Sequence, residues 1–332
     1  MTAPTDNGLV PAEIFLGVVG LGLMGSSIVA ALLIAGHPVV GIAPLNEELE
    51  KASSQINEHL EQCKHAGLLD KPVNYYLNKV TISGDYGELK SCRVVLECVT
   101  ERIDIKKQVY NRISNVVPVE TIISSNTSAI PISILQSYVP NPGRFLGIHW
   151  AEPAYMTRFL EVTCGKQTTI ENANWIYQLA HHWGKEPTLL KKDIRGFVTN
   201  RLMYAVYREA LTMEENGDAT IEDLDKAIRY DAGSWITLMG IFRRMDYMGL
   251  ENLESMLKNT FPLLSNREDV PVAMQKMVTD ELKGTRTSKG FYTYTENEGS
   301  EWEEAFARFN KDIARLAARY PSKDRMMKDA SK

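Results

Sequence analysis

The stretch GVVGLGLMGSSIVAALLIAGHPVVGIAPLNEEL, residues 17–49, decides the fold. A short β-branched run leads into Gly20, Gly22 and Gly25, spaced G-x-G-x-x-G, and an apolar helical stretch follows until Gly36. A second run, PVVGIA, completes the order strand, glycine turn, helix, strand. In such a unit the first glycine permits the tight turn, the second lets the backbone approach a pyrophosphate, and the third lets the helix pack close on the strand. The anion sits at the helix N-terminus, where free N–H groups and the helix dipole favour negative charge. Gly20, Gly22, Leu23, Met24 and Gly25 are therefore the expected cradle of a dinucleotide cofactor.

One position departs from this pattern. The acid that receives the cofactor's ribose is expected some 20 residues after the glycines, at the end of the second strand. Ala43 stands there, followed by Pro44 and Leu45. The missing charge-assisted hydrogen bond is worth about 1.5–3 kcal/mol, which weakens binding without abolishing it. An Arg just after this strand would signal NADP, but APLNEEL offers acids and no base, so NAD is expected, with reduced discrimination against NADP. Asn46 and Glu47 are the candidates to replace the acid from the loop.

Outward from this unit, IFLGVV, PVVGIA, RVVLECV, TIISSN and RFLGIHW are short, β-branched or aromatic, and alternate with helical stretches up to about residue 188. Strands alternating with helices predict an α/β fold, a doubly wound parallel sheet covered on both faces. Beyond about 189 the strand signals vanish. GFVTNRLMYAVYREALTMEENGDA reads as a long helix closed by Gly217, and Thr220 caps the next. A dinucleotide-binding domain over 1–189 and an all-α domain over 190–332 follow. In the last helix, SEWEEAFARFNKDIARLAARY, Trp302, Phe306, Phe309, Ile313, Leu316 and Tyr320 form one apolar stripe, expected to dock on the helical domain or on a second subunit. PSKDRMMKDASK reads as a solvated tail.

Composition narrows the partners. With 332 residues, 44% of them hydrophobic, the chain can build two domains with real cores. A net charge of −5 with dispersed Lys and Arg argues against nucleic acid and anionic membranes, leaving a small molecule. No apolar run reaches roughly 18 residues, and the N-terminus lacks a signal-peptide pattern. A cytoplasmic protein is expected. Cys63, Cys92, Cys98 and Cys164 show neither CxxC nor Cys/His spacing, so free thiols and no metal are expected.

Ligands of an open α/β sheet bind outside the carboxyl ends of its strands. Two stretches fall there: SSNTSAI, with Ser125, Asn126, Thr127 and Ser128, and GIHWAEPAYMTRFLEV, with His149 and, twelve residues on, Glu161. Oxidising a secondary alcohol needs a base for the hydroxyl proton while hydride leaves, and a neutral imidazole suits that near pH 7. A carboxylate on its other nitrogen would fix the tautomer and stabilise the imidazolium. The residues alone leave open a strand-end His bonded to local backbone.

The ordered set GLGLMG, LECVTE followed by Lys106, SSNTS, GIHWAEP, FLEV, KKDIRGFVTNRL and KGFYTY resembles the 3-hydroxyacyl-CoA dehydrogenase family over roughly 15–294. The resemblance implies a Rossmann-type domain, a helical dimerisation domain and hence a homodimer, and L-3-hydroxy oxidation with NAD. It implies His149 as general base and Glu161 as its orienting partner. Ser128 and Asn200 would hold the substrate oxygen and the nicotinamide side, and Glu101, Lys106 and Asn126 would line the cofactor. The competing reading of Glu101 and Lys106 is a surface ion pair worth under about 1 kcal/mol.

Departures from the family bear on substrate. Its usual H-x-x-N-P is here His149 to Pro153 with Glu152 in place of the amide, and DAGSWITLMGIFRRMDYMGL places Trp235, Arg243 and Arg244 where a Gly/Pro-rich turn is usual. The extra C-terminal helix is similar to the lambda-crystallin and L-gulonate dehydrogenase branch, whose substrates are small hydroxy acids without CoA. The expectation is NAD-dependent oxidation at C3 of a 3-hydroxy acid or its CoA thioester, with Glu152 and Trp235 facing the substrate. An ionised carboxylate only accepts, so either a cation such as Arg158 neutralises Glu152 or a donor-rich hydroxy acid is preferred. Two alternatives stand beside this: an idle, crystallin-like binding protein, and a 6-phosphogluconate-type dehydrogenase. The latter shares G-L-G-x-M-G but would use a lysine, and GIHWAEP fits it poorly.

Overall fold

The computed structural model describes residues 10–320; the expected tail at 321–332 lies outside them. The chain divides into two compact units after Val198. In the first, β1 (Leu16–Val19), α1 (Leu23–Ile34), β2 (Val39–Ile42), α2 (Asn46–His65), α3 (Val73–Leu77), β3 (Val80–Ser83), β4 (Val94–Glu97), α4 (Ile103–Ser114), β5 (Ile122–Ser125), α5 (Ile132–Leu135), β6 (Phe145–Trp150), β7 (Phe159–Cys164), α6 (Ile170–His182) and β8 (Glu186–Leu190) follow in order. They build one eight-stranded sheet in the order β3-β2-β1-β4-β5-β6-β7-β8. β1, β2 and β4 are buried along their whole length, as near-continuous apolar runs must be when helices cover both faces. The order reverses between β1 and β4, and that switch point puts a crevice at the carboxyl ends of the two strands.

The sheet is not wholly parallel. β6 pairs with β7 antiparallel, and β8 runs parallel to β7. The reason lies in the connections. Eight residues join β6 to β7, too few for a crossover helix, so the chain turns back. This return sets His149 directly opposite Glu161 in the register. Directly opposed side chains in an antiparallel pair project from one face with Cβ atoms about 4.5–5.5 Å apart. A separation of twelve residues in sequence thus becomes contact.

The second unit is helical: α7 (Thr199–Asn216), α8 (Ile221–Ala227), α9 (Gly233–Met248), α10 (Leu250–Thr260), α11 (Val272–Thr279) and α12 (Glu298–Arg319). Gly217, at φ +74°, closes α7, and the Thr220 hydroxyl caps α8 by accepting from the Asp223 N–H at 3.2 Å. Gly240, at φ +71°, breaks the path of α9. The change of architecture read at 189/190 falls at the end of β8. Residues 191–198 stay with the first unit because Phe197 is buried in it and the Val198 N–H donates to Glu161. On α12 the stripe of Trp302, Phe306, Phe309, Leu316 and Tyr320 is exposed in the single chain. Among the described residues no helix is long and apolar enough to cross a membrane.

Candidate active site

The glycine turn fits a dinucleotide for steric reasons visible atom by atom. Gly20 has φ +93°, and a Cβ there would stand 2.9 Å from the Cys98 carbonyl carbon. At Gly25 a Cβ would lie 1.8 Å from the Gly20 oxygen, so only glycine lets α1 start this close to β1. Gly22 is the N-cap of α1, and a Cβ there would meet almost nothing, which leaves its backbone face open to a ligand. Leu23 is exposed at the mouth of the turn and Met24 is half-buried behind it.

Beside this turn, β4 ends in a residue absent from the expected site. Glu97 is fully buried and receives four donors: the Val99 N–H at 2.8 Å, Lys106 Nζ at 2.7 Å, the Tyr110 hydroxyl at 2.6 Å and the Ser125 hydroxyl at 2.8 Å. Burial, together with the Glu97 charge, pushes the Tyr110 phenol well above its ordinary range. Lys106 is itself buried, and its ammonium also reaches Glu101 Oε2 at 3.2 Å. The two are thus not a surface pair. Burial alone would raise the Glu101 carboxyl, but the Thr127 hydroxyl, the Lys106 ammonium and the Ala129 N–H hold it below its ordinary value. Glu101 remains partly exposed, whereas Lys106 acts from behind it. Asn126 ties the neighbouring strand ends together, its Oδ1 accepting from the Trp150 N–H at 2.9 Å. Ser128 is exposed after β5, and its hydroxyl has no partner among the described residues.

At the ends of β6 and β7 the chemistry changes. His149 Nδ1 lies 2.9 Å from Glu161 Oε2. A carboxylate accepts, so Nδ1 carries the proton and Nε2 is the unprotonated nitrogen of the neutral ring. Nε2 has no partner among the described residues. Glu161 is 1% exposed, and its other oxygen accepts from the Val198 N–H at 3.1 Å. Phe197 stacks on the imidazole at 5.5 Å between ring centroids, and Phe159 meets it edge-on at 6.0 Å. Gly196 at φ +81° and Phe197 at φ +49° make the tight turn that delivers both the ring and the Val198 N–H. A non-glycine residue in that region is uncommon and marks a position held by its surroundings. Neither Glu97 nor Phe197 is singled out by sequence; the only signal for Phe197 is its place after a glycine in DIRGFV.

The loop between β6 and β7 is anchored on three sides. Lys185, buried just before β8, donates to the carbonyls of Ala154 and Thr157. Burial lowers its ammonium to about 7. The Ala154 N–H donates to Ser27 Oγ on α1 at 2.8 Å, and the Tyr155 hydroxyl donates to Gln62 on α2. Glu152 is exposed on this loop and has no partner among the described residues. Arg158, the cation nearest it in sequence, pairs with Glu186 instead. Asn200 opens α7, and Trp235 lies on α9 under the Arg244 guanidinium at 5.3 Å; both belong to the second unit.

An NAD-type glycine turn, an imidazole backed by a buried carboxylate and a helical second unit together define a dehydrogenase. Residues 15–194 match the NAD-binding domain of 3-hydroxyacyl-CoA dehydrogenase, and residues 196–294 match its C-terminal domain. The chain belongs to the 3-hydroxyacyl-CoA dehydrogenase family, and it is an NAD-dependent enzyme acting on CH–OH groups. The idle and 6-phosphogluconate-type readings are thereby set aside. It is 32% identical to a 5-formyl-3-hydroxy-2-methylpyridine 4-carboxylate 5-dehydrogenase of Mesorhizobium japonicum, over 84% of this chain and 90% of that one. A crystal structure of an enzyme of that activity, described as an NAD+-dependent dismutase, superposes with a TM-score of 0.83 at 30% identity, covering 91% of this chain and 97% of the other. The mitochondrial hydroxyacyl-coenzyme A dehydrogenase of Sus scrofa is 29% identical over 83% of this chain and 90% of its own.

Proposed function

We propose that the enzyme oxidises a small, free 3-hydroxy acid bearing further hydroxyl or ammonium donors, in preference to a CoA thioester. His149 Nε2 takes the hydroxyl proton as the C–H hydride departs and the carbonyl forms. Glu161 keeps the proton on Nδ1 and stabilises the imidazolium that results. Ser128 and Asn200 hold the substrate oxygen. Bound NAD would supply a hydride acceptor, held by Gly20, Gly22, Leu23, Met24 and Gly25, with Glu101 and Asn126 along the nicotinamide side, Lys106 supporting Glu101 from behind, and Trp235 on the substrate side.

The observation that carries the substrate reading is Glu152: an exposed carboxylate without a partner among the described residues, two residues beyond the strand that bears His149. Facing a thioester carbonyl, it would oppose two acceptors, and burying its charge unpaired is costly. Facing a donor-rich acid, it is satisfied. A relative whose name describes a pyridine carboxylate, with no thioester, agrees with this. A homodimer working in the cytoplasm completes the reading; α7 to α11 bury no side chain fully in one chain, so a second copy is the natural cover.

A panel of hydroxy acids and acyl-CoAs tests it. Donor-rich 3-hydroxy acids should exceed 3-hydroxybutyryl-CoA by at least about tenfold in kcat/KM, and Glu152→Asn should narrow the gap. Efficient turnover of 3-hydroxybutyryl-CoA by the wild type, unimproved in the variant, would contradict it.

A further inference from the structure

The end of β2 leaves the ribose of NAD without its usual acceptor, and the fold brings another to the same turn. Ala43 is buried, and its N–H is already donated to the Ser83 carbonyl at 3.0 Å. Asn46 and Glu47, the residues nearest at hand in the loop, are both exposed. Glu48, one residue further and inside the first turn of α2, is half-buried and turns back onto the glycines. Its Oε2 lies 3.4 Å from the Leu21 N–H, a long hydrogen bond, and, the turn's own neighbours aside, its Oε1 is the nearest atom to the place a Gly22 Cβ would occupy, at 4.0 Å. The carboxylate therefore lies against the open middle of the turn. A carboxylate has about four acceptor positions, and one long N–H contact leaves most of them available.

The electrostatics agree. No Lys or Arg forms an ion pair with Glu48 among the described residues, so its charge is not spent. The first turn of α2 favours an anion, and the buried phenol of Tyr86, which burial raises and the Arg112 guanidinium lowers, also feels the charge of Glu48. We propose that Glu48 takes the part of the missing acid, receiving the 2′-hydroxyl of the adenosine ribose and, by its charge, excluding a phosphate there. The acceptor has moved from the strand end to the following helix. Selection of NAD over NADP then rests on Glu48.

Calorimetric titration in the absence of substrate tests this apart from turnover. Wild type and Glu48→Gln are each titrated with NAD, NADP and the analogue of NAD lacking the adenosine 2′-hydroxyl. The wild type should bind NAD at least about tenfold more tightly than either other ligand. In Glu48→Gln, NAD should weaken about tenfold while the analogue changes by less than about twofold, and the gap to NADP should shrink. Ala43→Asp added to that variant should restore NAD. Glu48→Asp, which keeps the charge on a shorter stem, gives an intermediate loss and serves as the second variant should the first be unstable. Equal weakening of NAD and the analogue would overturn the proposal, since it would mean that Glu48 only braces the Leu21 N–H. Unchanged NAD affinity, or a wild type that prefers NADP, would overturn it as well.

Discussion

Two buried carboxylates, Glu97 at the end of β4 and Glu161 on β7, have opposite fates. Glu97 collects four donors, one of them an ammonium and two of them hydroxyls, and nothing in its cluster is left to react. Glu161 collects two, the Val198 N–H and the His149 Nδ1–H, and the imidazole it holds keeps one nitrogen open. A saturated cluster is scaffold, because each partner compensates another's desolvation. A cluster with one open valence, fixed by buried neighbours, is equipped to move a proton. Both are buried; the difference is that His149 Nε2 has no partner among the described residues.

The comparison can be broken at either end. The largest expected effect is that of His149→Ala, which should lower kcat by roughly 10²- to 10⁴-fold with NAD affinity nearly unchanged, measured by steady-state kinetics beside calorimetry. Retained turnover would remove the open valence from the mechanism. Next, Glu97→Ala leaves the Lys106 ammonium buried without its main partner and should cost about 3–5 kcal/mol in urea unfolding. The folded fraction should keep kcat within a few-fold, roughly 1 kcal/mol or less. A stable Glu97→Ala protein with lost turnover would reverse the two assignments.

A buried group outside both clusters supplies the control. His37 donates from Nδ1 to the Ile14 carbonyl and accepts at Nε2 from Trp183 Nε1–H, and burial lowers its pKa from 6.5 to about 4. The folded state therefore refuses a proton that the unfolded chain takes. Stability from this group is full above pH 6.5 and is lost as the pH falls towards about 4, a loss on the order of 3 kcal/mol. Urea unfolding across that range should show the decline, and His37→Gln should flatten it. Glu161→Gln should have the smallest effect of this group, about 10²-fold in kcat, or roughly 2.7 kcal/mol. The amide oxygen keeps the Val198 N–H, its NH2 then faces Nδ1, and the ring is driven to the tautomer with Nε2 protonated. Unimpaired kcat would mean that the carboxylate does not set the tautomer.

The parts of this site legible in sequence are those made by local rules. Gly20, Gly22 and Gly25 are read from steric needs within six residues, and Gly217 and Thr220 from helix termini. His149 and Glu161 are a different case. Their pairing depends on a strand running backwards, and FLEV, four residues in sequence, carries no mark of its direction; only the family resemblance pairs them. The antiparallel direction of β7 is missed for the same reason; β3 and β8 are missed because, as half-exposed edge strands, they carry no continuous apolar run. Glu97 and Glu48 are illegible because their partners lie on helices and strands up to 28 residues away, and packing alone decides which acid turns inward.

The most direct test of the open valence is a crystal structure with NADH and a slow 3-hydroxy acid substrate bound together. The account predicts the reacting hydroxyl within about 2.6–3.2 Å of His149 Nε2, with Nδ1 still on Glu161. A hydroxyl held by any other side chain, with Nε2 turned away or occupied by protein, would contradict it.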